Sequence, residues 1–562
     1  VGKKILILGG VALGPKAAAR ARRRDPNAEI TIVDRGDAFS YAGCGMPFYI
    51  EGQIANIDEL LCTSLGVRRD EIYFRNVKDI KLLGHTEALK INRSEKTVTV
   101  QNLSTSHIYE LPYDKLVLGV GASPVVPPIE GIDLLGVYRL YSPSDAEAIR
   151  AEIDKGAKRV VIVGGGLIGM EVCGAFVSRG CDVVVLEMME RLVPALLDSD
   201  MSLLLEKYVR ERGVKIGLGS RVSRIVGNSN GRVGTVETAN GVRYGADIVI
   251  VAIGVRPNVK LAKEAGLAIG ATGALAVDEF LRTSDPEIYA GGDCVENTDI
   301  VTGRKIYVPL GSTANKHGRV IGDNVTGGKT KFPGITVTVV FKILDFNVGK
   351  TGLTEREAKT LGFNIVTAIA PRTDCSDYYP TNKTITVKLI ADNDSGKLLG
   401  YQALGAGDVV KRVDVAATCL RFKAKIKDLA DLDLGYAPPY STAIDAVAHA
   451  ANVLRNKMDG LAHGISAADL KAKIERNEDF ILLDVRSRGE VESSPFEDRR
   501  VVNIPIDELR SRLQELNSEK EIVIFCQTSV RAYDAERILR GSGFENVKFL
   551  DGSLSAWPYA LD

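Results

Sequence analysis

Two cysteines stand where sulfur chemistry could be done. Cys44 lies in SYAGCGMPFYI, between Gly43 and Gly45, with Phe39 five positions before it and Tyr49 five positions after, so no second thiol stands at dithiol spacing. A thiol with no resolving partner must cycle through a mixed disulfide, a persulfide or a sulfenate. To attack at neutral pH it must be a thiolate, which requires a positive setting such as a helix N-terminus. MPFYIEGQI predicts a helix just after the thiol, and the flanking glycines would let backbone and substrate approach closely. Cys526 ends the strand-like EIVIFC and precedes QTSVR and a predicted helix. That order can curl backbone N–H groups around the sulfur, next to Arg531 and the helix dipole, a setting that stabilises a persulfide anion. The remaining cysteines (Cys62, Cys173, Cys181, Cys294, Cys375, Cys419) show neither zinc-ligand spacing nor the density of a disulfide scaffold, so no metal site is expected and a reducing compartment fits.

The elements that would position this chemistry are two strand–glycine loop–helix units. ILILGG supplies Gly9, Gly10 and Gly14, PKAAARARRR predicts the helix, and EITIVD is the next strand, ending in Asp34 twenty residues after Gly14. Such a loop aims N–H groups and a helix N-terminus at a pyrophosphate, while the later carboxylate can bind a ribose hydroxyl. Val11 occupies the middle glycine position of that fingerprint. The second copy is complete: RVVIVGGGLIGMEVCGAF carries Gly164, Gly166 and Gly169, and DVVVLE places Glu187 eighteen residues after the last of them. Two copies imply two dinucleotides, FAD and a nicotinamide. A carboxylate at Glu187, followed by Met188 and Met189, favours NADH, while Arg191 leaves NADPH open.

With these residues in view the chain resembles the flavoprotein disulfide reductases over roughly Lys3 to Asn456. YDKLVLGVGASP and ADIVIVAIGVRPN, the latter holding Gly254, look like the segments that close the FAD and nicotinamide domains. LRTSDPEIYAGGDCVE resembles the second FAD motif, whose aspartate, here Asp293, hydrogen-bonds the ribityl chain. The resemblance also implies Arg35, next to Asp34, as a cofactor residue. FSYAGCGMPFYI is close to the segment bearing the single catalytic cysteine of coenzyme A disulfide reductases and persulfide-reducing relatives, although Gly43 stands where the family commonly has asparagine. Peroxide-handling relatives usually carry a histidine in the first glycine loop, and GGVALGPK has none. For coenzyme A the resemblance points to the first helix, with Arg20 and Arg23 and also Ser40; Arg68 and Arg69 form a second candidate pair. It further implies a homodimer in which partner-subunit tyrosines approach the cysteine, and DCSDYYPTNK and LDLGYAPPYSTAIDAV nominate Tyr378 and Tyr436, with Tyr379 and Tyr440 close by.

After NVLRNKMDGLAHG a compact α/β pattern begins: AADLKAKIERN as helix, FILLDVR and EIVIFC as strands, AYDAERILRGSGF as helix and VKFLDG as a last strand. LLDVRSRGE, NIPIDELR and CQTSVR together resemble a rhodanese sulfurtransferase domain over about Ile465 to Leu561. Gln527 and Ser529 stand where thiosulfate-using members often have arginine and glycine.

The bulk properties frame this reading. At 562 residues the chain exceeds one hydrophobic core, and three or four domains are expected. Lysine plus arginine equals aspartate plus glutamate at 72 each, so no overall field favours nucleic acid or an anionic membrane. KKILILGG opens without a signal pattern and no apolar run is long and unbroken, which predicts a soluble cytoplasmic protein. The expected architecture is α/β, a two-dinucleotide flavoprotein disulfide reductase with an α+β dimerisation domain and a C-terminal rhodanese-like domain. Its boundaries are 1–118 and 256–330 for the FAD domain, 119–255 for the NAD(P)H domain, 331–456 for dimerisation, 457–464 for a linker and 465–562 for the rhodanese-like domain. The expected activity is NAD(P)H-dependent reduction of coenzyme A persulfide, disulfide or polysulfide through Cys44, with Cys526 supplying or receiving sulfane sulfur. Two alternatives stay open: a sulfurtransferase whose flavin half only keeps thiols reduced, and an NADH oxidase or peroxidase working through a Cys44 sulfenate.

Overall fold

The computed structural model describes residues 2–561. The chain forms two compact units, one from the chain up to Met188 together with Ser220–Ile335, the other from Met189–Gly219 with the chain from Thr336 onward.

In the first unit the apolar runs become parallel strands buried on both faces. Lys4–Leu8 is central, with Glu29–Val33 and then Lys81–Leu83 on one side, and Lys115–Leu118 and then Ile288–Ala290 on the other. Ile5 to Leu8 are each at most 2% exposed, which explains why this strand shows no polar alternation. Because Ile288–Ala290 joins the edge of this sheet, the chain returns to its first fold after completing the second. Helix Leu13–Arg24 buries an alanine face, Ala17, Ala18 and Ala21, and crosses helix Gly311–Asn324 closely. At Gly318 and Gly322 a Cβ would lie 2.7 Å from the carbonyls of Leu13 and Ala17. The second fold repeats the plan, with Arg159–Val163 between Asp182–Leu186 and Ile248–Val251, and Val137–Tyr138 beyond. Its helix Leu167–Ser178 is apolar nearly all round and is correspondingly buried.

The second unit holds an antiparallel sheet in the order Val339–Ile343, Phe346–Gly352, Leu398–Gly405, Thr384–Asp392, Ile365–Thr373. Helices Val410–Arg421 and Ala446–Met458 pack on it. A parallel sheet follows in the order Gly464–Ile465, Val547–Leu550, Ile522–Phe525, Ile481–Asp484, Val501–Asn503. The helices expected from AADLKAKIERN and AYDAERILRGSGF are Ala467–Glu475 and Val530–Gly541. The two layers are joined by Lys457, whose ammonium lies 2.6 Å from the Asp551 carboxylate and donates to the Thr367 carbonyl at 2.9 Å. Lys207 adds a bond to the Trp557 carbonyl at 3.2 Å. No helix among the described residues is long and apolar enough to cross a membrane.

Candidate functional site

Both glycine loops are shaped by contacts that exclude a side chain. At Gly14 a Cβ would sit 1.9 Å from the Gly9 carbonyl, and at Gly169 it would sit 2.1 Å from the Gly164 carbonyl, the same close approach of helix to strand in both folds. Gly9 and Gly164 have φ of 112° and 110°, values that side-chain-bearing residues rarely adopt. Gly166 caps helix Leu167–Ser178 and has open space where a Cβ would be, as does Gly254. The carboxylates expected at the ribose are fixed by these loops. Asp34 accepts from Gly10 N–H at 2.6 Å and from Gly36 N–H at 2.7 Å, and Glu187 accepts from Gly165 N–H at 2.7 Å. Arg35 is exposed beside Glu87.

Asp293 sits in the 3-10 turn Gly292–Cys294, and its Oδ1 is buried without a hydrogen-bond partner. Leaving such an oxygen unsatisfied costs about 1–3 kcal/mol, so the position fits a hydroxyl-bearing ligand such as a ribityl chain. Burial pushes its carboxyl above the usual range. The turn is steadied by His317, whose Nδ1 accepts from Gly292 N–H at 3.1 Å and whose imidazole is pushed down to about 3 by burial, so it remains neutral.

Cys44 lies in the 3-10 turn Gly43–Gly45 that leads into helix Met46–Glu51, the helix expected there. The residue is exposed at the surface of the chain, although its sulfur is flanked by protein. The expectation of a positive setting is corrected. Burial, then the carboxylates of Glu171 and Asp293, push the thiol up, and only its own backbone N–H pulls the other way. A helix of six residues adds little dipole. Glu171, which in the sequence only interrupts an apolar run, projects from helix Leu167–Ser178, and burial raises its carboxyl to about 7. The glycine expectation also divides. Gly45 is needed for packing, since a Cβ would lie 2.4 Å from Leu60 Cδ2, whereas Gly43 makes only ordinary contact with Tyr41.

Two arginines that the sequence reading missed hold the Cys44 helix. Arg150 stacks over the Tyr49 ring at 4.5 Å and donates to the carbonyls of Tyr49, Ile54 and Ala55. Arg179 donates to the Ile50 carbonyl and pairs with Asp154 at 2.5 Å. Ser40, at φ 49°, bonds the Gly10 carbonyl through its N–H, and its own carbonyl accepts from Arg69 at 2.9 Å. Arg20 is held by Asp323 at 2.5 Å, Arg23 lies on the exposed face of the same helix, and Arg68 pairs with Asp58. Tyr378 and Tyr436 are 75% and 52% exposed.

In the C-terminal fold Cys526 follows strand Ile522–Phe525 directly and is 2% exposed. Ser529 begins the helix at φ 73°, which explains why a glycine suits this place. Arg531 reaches the Cys526 sulfur electrostatically, but its guanidinium is also gripped by Glu490 through two bonds of 2.7 Å. That pairing lowers the Glu490 carboxyl to about 2. Among the described residues no cluster of histidine, cysteine or carboxylate side chains is arranged to hold a metal ion.

Comparison with known proteins agrees with this arrangement. Residues 3–318 match the family model described as pyridine nucleotide-disulphide oxidoreductase, residues 338–448 its dimerisation domain, and residues 466–559 the rhodanese-like domain. The chain belongs to the pyridine nucleotide-disulphide oxidoreductase family and carries a C-terminal rhodanese-like domain. It is 38% identical over 456 residues to the NAD(P)H sulfur oxidoreductase (CoA-dependent) of Pyrococcus abyssi, covering 81% of this chain and 99% of that protein. Among solved structures it is similar to an NAD-dependent persulfide reductase from A. fulgidus, with a TM-score of 0.94, 45% identity and coverage of 99% and 100% of the two chains. It also resembles the reduced CoADR-RHD of Bacillus anthracis, with a TM-score of 0.92, 35% identity and coverage of 99% and 98%.

Proposed function

We propose that this chain is an FAD-dependent NAD(P)H reductase of coenzyme A persulfides, disulfides and polysulfides, with Cys44 as the attacking sulfur and Cys526 as a carrier of sulfane sulfur. The observation that carries the reading is the single exposed thiol at the head of a pinned helix, in the electrostatic range of Asp293, whose buried oxygen lacks a partner. The coenzyme A-dependent and persulfide-reducing relatives support the substrate class. FAD, when bound, supplies the two-electron relay between the nicotinamide and sulfur. Asp293 and Asp34 would hold it, with the Gly9, Gly10 and Gly14 loop at its pyrophosphate and Arg35 beside it. Gly164, Gly166, Gly169, Gly254 and Glu187 would hold the nicotinamide dinucleotide, and the carboxylate at Glu187 favours NADH.

The chain's own chemistry is then a sulfur exchange. The Cys44 thiolate attacks the outer sulfur of coenzyme A persulfide, forming Cys44–S–SH and releasing the coenzyme A thiolate. An electron pair delivered to that bond returns the Cys44 thiolate and releases hydrosulfide. With a coenzyme A disulfide the same attack gives a mixed disulfide and one free thiol. Burial, then the carboxylates of Glu171 and Asp293, push the Cys44 thiol up, so it must lose its proton before it attacks. Arg20, Arg23 and Ser40 are the coenzyme A candidates, and Arg69, which contacts Ser40, joins them. Tyr378 and Tyr436, exposed in the single chain, would serve a homodimer as proton donors at the partner's Cys44. Eight free cysteines support a reducing, cytoplasmic setting.

Turnover of NADH with preformed coenzyme A persulfide tests this reading. Cys44→Ser should abolish it and Cys526→Ser should preserve it while removing sulfur transfer from other donors. Persulfide reduction at an unchanged rate in Cys44→Ser would overturn the assignment.

A further inference from the structure

The wall opposite the Cys526 loop is built from two consecutive left-handed residues, Gly552 at φ 73° and Ser553 at φ 47°. Glycine is at ease there; serine is not, and a non-glycine residue held in this region costs on the order of 1 kcal/mol. Ser553 is nevertheless wholly buried, and its hydroxyl lies against the sulfur-bearing residue. Its Oγ accepts Cys526 N–H at 3.2 Å and lies 3.9 Å from Cys526 Sγ in donor geometry.

The hydroxyl proton has few other places to go. The nearest protein acceptor is the Leu550 carbonyl at 3.4 Å, which already takes the Ser529 hydroxyl at 2.9 Å. The Ser529 Oγ, 3.3 Å from the Ser553 Oγ, is placed only as an alternative donor to it, with its one proton nearer the Leu550 carbonyl, and not as an acceptor. Ser553 therefore accepts from Cys526 N–H and has one proton to give, and the strongest acceptor within reach is an ionised sulfur. The turn is also anchored. Asp551, two residues earlier, is ion-paired with Lys457, and a side chain at Gly552 would strike Ala556 at 2.3 Å and crowd Ile369 at 3.1 Å.

We propose that Ser553 is a catalytic hydrogen-bond donor to Cys526, placed in a strained backbone position so that its hydroxyl holds the sulfur as an anion between sulfur transfers. It shares this work with Arg531, whose charge is partly spent on Glu490. The inference rests on reading Cys526 as the sulfur carrier, yet its test reads the sulfur itself and needs no sulfur donor.

The full chain and its Ser553→Gly and Ser553→Ala variants are titrated by the ultraviolet absorbance of the Cys526 thiolate, taken as the difference between each protein and its Cys526→Ser counterpart. Both substitutions should move the midpoint upward by about one pH unit, a tenfold loss of thiolate below the midpoint. Ser553→Gly should melt no lower than the parent, since glycine suits the backbone, so its shift cannot come from poor folding. Midpoints that coincide with the parent's would overturn the proposal, as would a shift in Ser553→Gly alone, which would assign the effect to the backbone. If the shift is present but Cys526→Ser leaves every sulfur transfer intact, the carrier reading falls and the hydrogen bond stands.

Discussion

Lys457→Met separates a structural ion pair from the chemistry beside it. Lys457 and Asp551 face each other at 2.6 Å with both side chains about one-tenth exposed, and Asp551 Oδ1 has no hydrogen-bond partner. Burial pushes the Asp551 carboxyl up, Lys457 opposes this, Asp200 adds to it, and Lys388 pulls it down. Removing one member of a buried pair costs about 3–5 kcal/mol, because the other is left charged without its partner. The carboxyl can escape by taking a proton, so the lower end, about 3 kcal/mol, applies at neutral pH. The sign of the pH dependence follows. An acid whose folded value lies above its unfolded value keeps its proton in the fold and loses it on unfolding, so stability falls as pH rises between the two, by about 1.4 kcal/mol per unit. Without Lys457 the carboxyl is pushed further up than in the parent, so the deficit of the variant relative to the parent should be smaller at about pH 5.5 than at about pH 7.5. Trp557, the single tryptophan, is buried in the C-terminal fold and reports its unfolding in urea. Adding Asp551→Asn to Lys457→Met should recover most of the loss at the higher pH. An equal deficit at both pH values, or no recovery, would refute the reasoning.

Two further outcomes follow from the reductase half. Glu171→Gln should lower the midpoint of Cys44 alkylation by roughly half to one pH unit, since a neighbouring charge acting through partly polar surroundings is worth about 1 kcal/mol; the carboxyl is charged above about pH 7, so the parent and variant should differ there. Gly169→Ala, whose Cβ would meet the Gly164 carbonyl at 2.1 Å, should raise the KM for NADH at least tenfold while the purified protein keeps its full flavin content. Loss of flavin instead would place the second loop at the wrong nucleotide.

The glycine loops, the parallel sheets and the position of each sulfur were legible because local rules fix them: strand, glycine and helix follow one another in sequence, and so do the contacts that forbid a Cβ. What surrounds Cys44 was not legible. Glu171, Arg150 and Arg179 lie more than a hundred residues away, and each looks ordinary in its own segment: an interruption of an apolar run, one polar position in an amphipathic helix, a helix-terminal arginine. Their importance comes from two folds meeting, which no local pattern encodes. The same holds for Ser553, whose type is unremarkable until its backbone angle and its neighbour 27 positions back are known. Gly45 has a packing reason that its own segment does not show, since a Cβ there would meet Leu60, fifteen positions on.

A surface thiol with no companion to close upon cannot shelter its sulfenate in an internal disulfide, and a second oxidation at sulfur is not undone by ordinary reductants. Oxidants attack the deprotonated form. Burial, with the carboxylates of Glu171 and Asp293 beside it, pushes the Cys44 thiol up, towards the protonated form that is less open to oxidation.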